Sequence, residues 1–314
     1  YRTFDLAREY KNENIIGDIL SSSSASTSSK SANTDTDTDT DKIKREELFL
    51  ISKVWPTELG FYETINSIKS SLLDLKVNYI DMYMLHWPEC NTNIDWMHCE
   101  DTINKDATWK ESYRSLEKEY SEGKIVSIGI SNFNVDLLND VKKFARILPS
   151  VVQNHGEPSI EDTSSGASAG VGVGGGLDKD VRRWCLENDV VYMPYASQRN
   201  IKFLSKDVLE ILEQISSMLN KSINLIISRF FIQTGAAIIP RTNNLIHLKE
   251  NSEVYEMGFE LQHADMRDLG WDSNEMTALK FKKDGNKNVI FNHIHTQAHA
   301  EDEIGIDRDS RDEL

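Results

Sequence analysis

At 314 residues the chain is long enough to bury a sizeable core, and one α/β barrel of ~250 residues is an ordinary use of that length. Hydrophobic residues make up 39%, with six tryptophans, and no apolar run approaches the ~18 residues of a membrane-spanning helix, so a transmembrane protein is excluded. The net charge of −16 is concentrated in the aspartates from Asp35 to Asp41 and in residues 300–314, and it argues against nucleic-acid binding, which calls for a basic surface.

The first predicted element is a strand over Thr3–Asp5, inside the run RTFDLAREY, with Tyr10 a few residues beyond. A helix then leads into residues 21–41, SSSSASTSSKSANTDTDTDTD. Such a Ser/Thr/Asp tract cannot bury enough apolar surface to offset its ordering entropy, so disorder is expected. Lying between a helix and the next strand, it is expected on the face away from the chemistry. The strand Leu48–Val54 carries Lys53 within LFLISKVW, and Ile65, Ile68, Leu72 and Leu75 then mark one face of a helix.

The strand Tyr79–His86, read in IDMYMLHWP, places His86 directly before Trp87 and Pro88. The loop after it, ECNTNIDWMHCEDTINKDA, supplies Trp96 and Met97, which with Trp87 could line an apolar substrate pocket. Strands Ile125–Ser131 and Val151–Asn154 follow. Residues 161–176 form a Gly/Ser-rich insertion on the side that follows a strand, hence the catalytic side. Its GVGVGG formally matches a dinucleotide-binding fingerprint, but that motif needs a strand directly before it and here a Ser/Ala-rich loop precedes, so a flexible linker is expected.

A strand over Val190–Tyr195 comes next, then a helix with Val208, Leu212, Ile215 and Leu219 on one face and Ser205 as N-cap, and a last strand over Ala236–Pro240. Alternation of this kind implies βαβ units with right-handed crossovers and a parallel sheet. Residues 271–314 read as an acidic, disordered tail. Its HIH and HAED runs fit no strong metal template, and no metal site is expected. Cys90, Cys99 and Cys185 are too few and too odd in number for a disulfide framework, which favours a reducing compartment and a cytoplasmic location. The terminal Arg311-Asp312-Glu313-Leu314 resembles a retrieval tetrapeptide, with the endoplasmic-reticulum lumen as the minor alternative.

Asp5, Lys53 and His86 each close a short apolar run, which suits residues gathered at one end of a parallel sheet. With Tyr10 they offer a carboxylate, an ammonium, an imidazole and a phenol. A nearby ammonium favours the phenolate form of a tyrosine, a carboxylate keeps the ammonium charged, and an imidazole can hydrogen-bond a carbonyl oxygen. An ionised lysine amid apolar strand residues needs a counter-ion, and Asp5 is expected to supply it.

Four segments in order resemble the aldo-keto reductases: DLAREYKNENIIG, SLLDLKVNYIDMYMLHWP, GKIVSIGISNFN and AAIIPRTNNLIHLKEN. The resemblance spans residues 1–270 and implies a (β/α)8 TIM barrel over that stretch. It implies Tyr10 as general acid/base, Lys53 as the ammonium that eases its proton release, Asp5 as the lysine's anchor and His86 as the carbonyl orienter. It further implies that Ser131, Asn132 and Gln153 bind the nicotinamide carboxamide and that Tyr195 stacks on the nicotinamide ring. Arg241 and Thr242 would meet the 2′-phosphate, and Glu250 and Asn251 the adenine. His247 stands where the family commonly has a second arginine at that phosphate.

The expected activity is NADPH-dependent reduction of an aldehyde or ketone by a monomer, with NAD possible as cofactor and a small-molecule carbonyl as partner. The alternative is a non-catalytic, cofactor-binding relative of the same fold. Compared with the family, an N-terminal hairpin and the first strand are missing before Tyr1, so the chain is expected to be N-terminally incomplete. A seven-stranded sheet would leave two edges where a closed barrel has none.

Overall fold

The computed structural model describes residues 1–25, 43–159, 177–199, 201–254 and 258–271. They fall into two units, Tyr1–His155 with Thr163–Val190, and Gly156–Asp162 with Val191–Leu314.

The first unit is built on five parallel strands: β1 (Thr3–Asp5), β2 (Phe49–Val54), β3 (Ile80–Leu85), β4 (Ile125–Ser131) and β5 (Val151–His155). Each pairs with the next, in registers that set Asp5 beside Ile51, Lys53 beside Met84, Met84 beside Gly129 and Ser131 beside Gln153. Every residue of β2 and β3 is buried, as expected of parallel strands covered on both faces, and this is why both read as near-continuous apolar runs. Asp81 fastens the start of β3 to its neighbour by accepting from Leu50 N–H at 2.8 Å and from Arg45 at 2.6 Å.

Helices α1 (Glu13–Ala25), α2 (Phe61–Leu75), α3 (Trp109–Ser121), α4 (Val135–Phe144) and α5 (Lys179–Glu187) alternate with the strands. On α2 the predicted stripe packs inward, with Ile65, Ile68 and Leu75 buried. Helix α3 opens on a capping box between Thr108 and Glu111, and α4 on Asn134, whose side chain accepts from Leu137 N–H. Gly17 lets α1 lie directly against α2, because a side-chain carbon there would meet the backbone at Asp74 and Leu75. Of the tract expected to be disordered, Ser21–Ala25 continue α1, and residues 26–41 lie outside the described residues.

The second unit holds strand β6 (Val191–Tyr195) and helices α6 (Lys206–Leu219), α7 (Ile223–Gln233), α8 (Leu245–Glu253) and α9 (His263–Asp268). Ser205 caps α6 as predicted, and Val208, Leu212 and Ile215 are its buried face. The run Ala236–Pro240 does not form the predicted strand. Ala237 N–H donates to Tyr192 carbonyl at 2.9 Å, but the adjacent Thr234 and Gly235 N–H groups are spent closing the end of α7. Met266, Leu269 and Trp271 are buried, so the chain packs through the expected end of the homologous region.

The Gly/Ser-rich insertion, residues 161–176, and the tail beyond Trp271, with its histidines and terminal tetrapeptide, lie outside the described residues. Among the described residues no helix is long and apolar enough to cross a membrane, and no cluster of His, Cys, Asp or Glu could hold a metal ion.

Candidate active site

The chemistry-bearing residues of the first unit share one end of the parallel strands. Asp5 is the last residue of β1, Lys53 lies next to the end of β2, His86 follows β3, and Ser131 ends β4. Parallel strands in equal register bring those ends together although the residues are far apart in sequence.

Lys53 is fully buried, and its ammonium donates to Asp5 Oδ1 at 2.7 Å and to the Leu6 carbonyl at 2.9 Å. The expected counter-ion is therefore in place, with a backbone dipole as second acceptor. Tyr10 sits on a short 3₁₀ turn, Arg8–Tyr10, with its ring centroid 5.2 Å from Lys53 Nζ. Tyr10 as a residue is 48% exposed, so a ligand has room to approach it. The turn is held by Arg8, which bonds Glu13 at 2.8 Å and Asp74 at 2.7 Å, while Glu13 accepts from Ser52 at 2.6 Å beside Lys53.

His86 presents its ring edge-on to Tyr10 at 5.8 Å and to Trp55 at 5.0 Å. Burial, and then the nearby Lys53 charge, hold its pKa well below the ordinary 6.5, so the imidazole is neutral at physiological pH. Among the described residues nothing hydrogen-bonds its Nδ1, which leaves that nitrogen uncommitted.

Ser131, Asn132 and Gln153 form a connected set beside this group. Ser131 donates to the Gln153 carbonyl at 2.6 Å, Asn132 donates to the His86 carbonyl at 2.8 Å, and the Gln153 amide approaches Asp5 Oδ1 at 3.4 Å. Asn132 has φ of 64°, a left-handed conformation that asparagine tolerates better than most residues. Asn154 stabilises that turn by pairing with both the N–H and the carbonyl of Phe133, and it donates to Asp178 at 2.9 Å.

The loop after β3 carries Trp96, half exposed, with ring centroids 6.0 Å from Trp55 and 6.1 Å from the buried Trp87. Trp55 was missed by sequence reasoning, since an aromatic after a strand is most often plain core. Here its indole N–H donates to the Met97 carbonyl at 3.2 Å and ties the loop to the end of β2. Cys90 and Cys99 of the same loop are joined in a disulfide, a pairing that the odd cysteine count did not predict, while Cys185 is a buried free thiol.

In the second unit Tyr195 ends β6 half-buried, and its carbonyl accepts from Gly156 N–H at 3.3 Å. Gly156 lies flat on β6, with Pro194 and Tyr192 occupying the space a side chain would need. Arg241 is exposed and Thr242 half-buried on the approach to α8, and Thr242 Oγ1 accepts from Asn244 N–H at 3.0 Å. His247, Glu250 and Asn251 are on α8, at spacings of three and four that share a helix face. Glu250 accepts from Ser222 at 3.3 Å.

The model of the aldo/keto reductase family matches residues 1–166. Glyoxal reductase of Bacillus subtilis is 30% identical over 266 residues, which is 85% of this chain and 76% of that protein. The NADP-dependent D-sorbitol-6-phosphate dehydrogenase of Malus domestica is 27% identical over 282 residues, covering 85% and 80%. An aldo-keto reductase enzyme from a Medee basin deep-sea metagenome library has a similar solved structure, with TM-score 0.63, 26% identity and coverage of 86% of this chain and 80% of that one. A Bombyx mori aldo-keto reductase in complex with NADP, at 20% identity, TM-score 0.66 and coverage of 86% and 77%, matches in fold. The fold is the (β/α)8 barrel class of these enzymes, and the chain belongs to the aldo/keto reductase family.

Proposed function

We propose that the chain is an NADPH-dependent carbonyl reductase in which Tyr10 is the general acid. The observation that carries this is the stack of Asp5, Lys53 and Tyr10, a fully buried ammonium fixed by a carboxylate and lying 5.2 Å from an accessible phenol ring. A buried charge of that kind is costly unless it serves something beyond packing.

The donor sets fit the cofactor. Ser131, Asn132 and Gln153 supply the hydroxyl and amide groups that suit a primary carboxamide, and the half-buried Tyr195 ring suits a flat heterocycle. Arg241, Thr242 and His247 supply the cationic and hydroxyl groups that suit a phosphate monoester, with Glu250 and Asn251 for the adenine. The Malus domestica relative is NADP-dependent and the Bombyx mori enzyme was crystallised in complex with NADP, which supports the same choice here. When bound, the reduced nicotinamide supplies the hydride.

The protein's own part is binding, orientation and proton supply. His86, neutral because it is buried beside Lys53, orients the substrate carbonyl by hydrogen bonding without adding charge. Tyr10 gives its proton to the oxygen as negative charge develops there, and Lys53 stabilises the resulting phenolate. Asp5 keeps Lys53 in place. Trp55, Trp87 and Trp96 offer an apolar wall to the rest of the substrate.

The test is NADPH oxidation, followed optically, against a panel of aldehydes and ketones. Turnover that disappears in Tyr10→Phe while cofactor binding persists supports the proposal. Cofactor binding with no turnover on any carbonyl would instead mark a non-catalytic relative.

A further inference from the structure

We propose that the Cys90–Cys99 disulfide is a redox modification site that sets substrate range, by fixing Trp96 against the aromatic wall. This rests on the carbonyl-reductase reading above and adds a control that the catalytic residues do not contain.

The bridge spans nine positions of the loop after β3, and Trp96 lies inside the segment it closes. Cys90 and Cys99, both partly buried, pack on a buried cluster of Trp55, Trp87, Ile94 and Met97. The loop is thus pinned at Ile94 and Met97, while its two flanks are held to each other through the sulfurs. Trp96 is half exposed and packs against Trp55, which in turn lies edge-on to His86 at 5.0 Å. Among the described residues no hydrogen bond of the indole holds Trp96 there. Its seat is defined by the backbone of a short closed ring, and opening that ring enlarges the conformations available to it.

The exchange is balanced by an external dithiol. Its thiolate attacks one sulfur of the bridge and displaces the other, forming a mixed disulfide. The dithiol's second thiol then displaces the remaining cysteine. The Cys90–Cys99 bond breaks, the dithiol's own S–S bond forms, two electrons pass to the protein, and Cys90 and Cys99 end as thiols. Cys90 and Cys99 are only partly buried residues, on a surface loop, and this gives a dithiol its approach in the folded state. Cys185 is buried, so it is silent to external reagents and leaves the signal to the pair. Oxidised protein should favour aromatic carbonyls that lie on the Trp55–Trp96 wall. Reduced protein should lose that advantage but keep its rate on carbonyls too small to reach Trp96.

The experiment compares KM for 4-nitrobenzaldehyde and for glyoxal, with NADPH, before and after dithiothreitol, and counts native thiols by alkylation and mass. The expected result is a rise of about fivefold or more in KM for the aromatic aldehyde alone, the low end of couplings between sites, reversed on reoxidation. Cys90→Ser with Cys99→Ser should match the reduced protein and ignore dithiothreitol. Trp96→Ala should have the higher KM in both states. An unchanged KM ratio with both thiols freed overturns the proposal, as does a failure of the two cysteines to pair under oxidising conditions. If no carbonyl is turned over, the carbonyl-reductase reading fails. Quenching of tryptophan fluorescence by 4-nitrobenzaldehyde in the two redox states then decides the switch, and equal affinities overturn it.

Discussion

Lys53 Nζ lies 2.7 Å from Asp5 Oδ1, the lysine side chain entirely out of solvent and the carboxylate 16% exposed. Removing one partner of such a pair leaves an uncompensated buried charge, which typically costs 3–5 kcal/mol. Asp5→Ala should therefore destabilise the protein by roughly that amount. Lys53→Met keeps the volume but leaves the Asp5 carboxylate, which is 16% exposed, without its ammonium, so it should cost less stability than Asp5→Ala while abolishing carbonyl reduction. Urea unfolding of both variants, beside their NADPH oxidation rates, separates the two effects. Comparable stability loss in both would show that the ammonium is a structural requirement first.

Tyr10→Phe should lower kcat by ~10²–10⁴, the usual worth of a general acid, because it removes a hydroxyl that acts on the reacting oxygen. Cofactor affinity should stay nearly intact, since the residues assigned to the cofactor begin at Ser131. Paired measurement of kcat and of NADPH binding by fluorescence checks this. Unchanged turnover would remove Tyr10 from the mechanism.

His86 carries a pH signature of its own. Its folded pKa lies well below 6.5 through burial and Lys53, so below pH ~6.5 the unfolded chain takes up a proton that the folded chain refuses. Stability should be level with respect to this group above pH ~6.5 and fall as pH descends, by up to roughly 1.4 kcal/mol per pH unit, until the folded pKa is reached. Denaturant melts of the parent and of His86→Gln from pH 5 to 8 isolate the contribution. A parent curve parallel to that of His86→Gln below pH 6.5 would mean the imidazole charges freely in the fold.

Asp5, Lys53 and His86 could be recognised in sequence because each interrupts or ends an apolar strand, where a charge or imidazole is conspicuous. Parallel pairing then did the rest, since its register sets the ends of β1, β2, β3 and β4 side by side. Trp55 gave no such signal: a tryptophan after FLISKV looks like core until Met97 and His86 are found beside it. The Cys90–Cys99 pair was hidden by an odd total, which says nothing about which two of three thiols can meet. Ser21–Ala25 read as disordered from composition, but a helix already nucleated at Glu13 extends at lower cost than a new one starts. Ala236–Pro240 had strand-like residues, yet the closing turn of α7 took the neighbouring backbone donors.

Gly17→Ala should destabilise the first unit even though alanine is the better helix former by ~1 kcal/mol. The added carbon would fall on the Asp74 carbonyl oxygen and within 2.8 Å of the Leu75 carbonyl carbon. Both are backbone atoms of α2, which cannot swing aside as a side chain would. Overpacking of this kind costs typically 1–3 kcal/mol, so the net effect should be a loss. A melting temperature equal to or above the parent's would show that α1 can slide on α2.

NADPH should be preferred over NADH, but with a margin that Arg241 and His247 set between them. Arg241 is exposed ahead of α8 and offers a planar fork suited to a phosphate, whereas His247, on the helix, offers an imidazole where a permanent charge would bind a dianion more strongly. Arg241→Ala should thus reduce the ratio of kcat/KM for NADPH over NADH, and do so through KM. His247→Arg should raise the ratio, because a guanidinium is charged at every working pH and its planar fork matches a phosphate. Raising salt should shrink both effects, since exposed charges are screened beyond ~8 Å at physiological ionic strength. The measurement is the efficiency ratio for the two cofactors in the parent and both variants, with one carbonyl substrate at fixed pH. A ratio indifferent to both substitutions would move the 2′-phosphate away from the start of α8, and a parent preference for NADH would overturn the choice of cofactor.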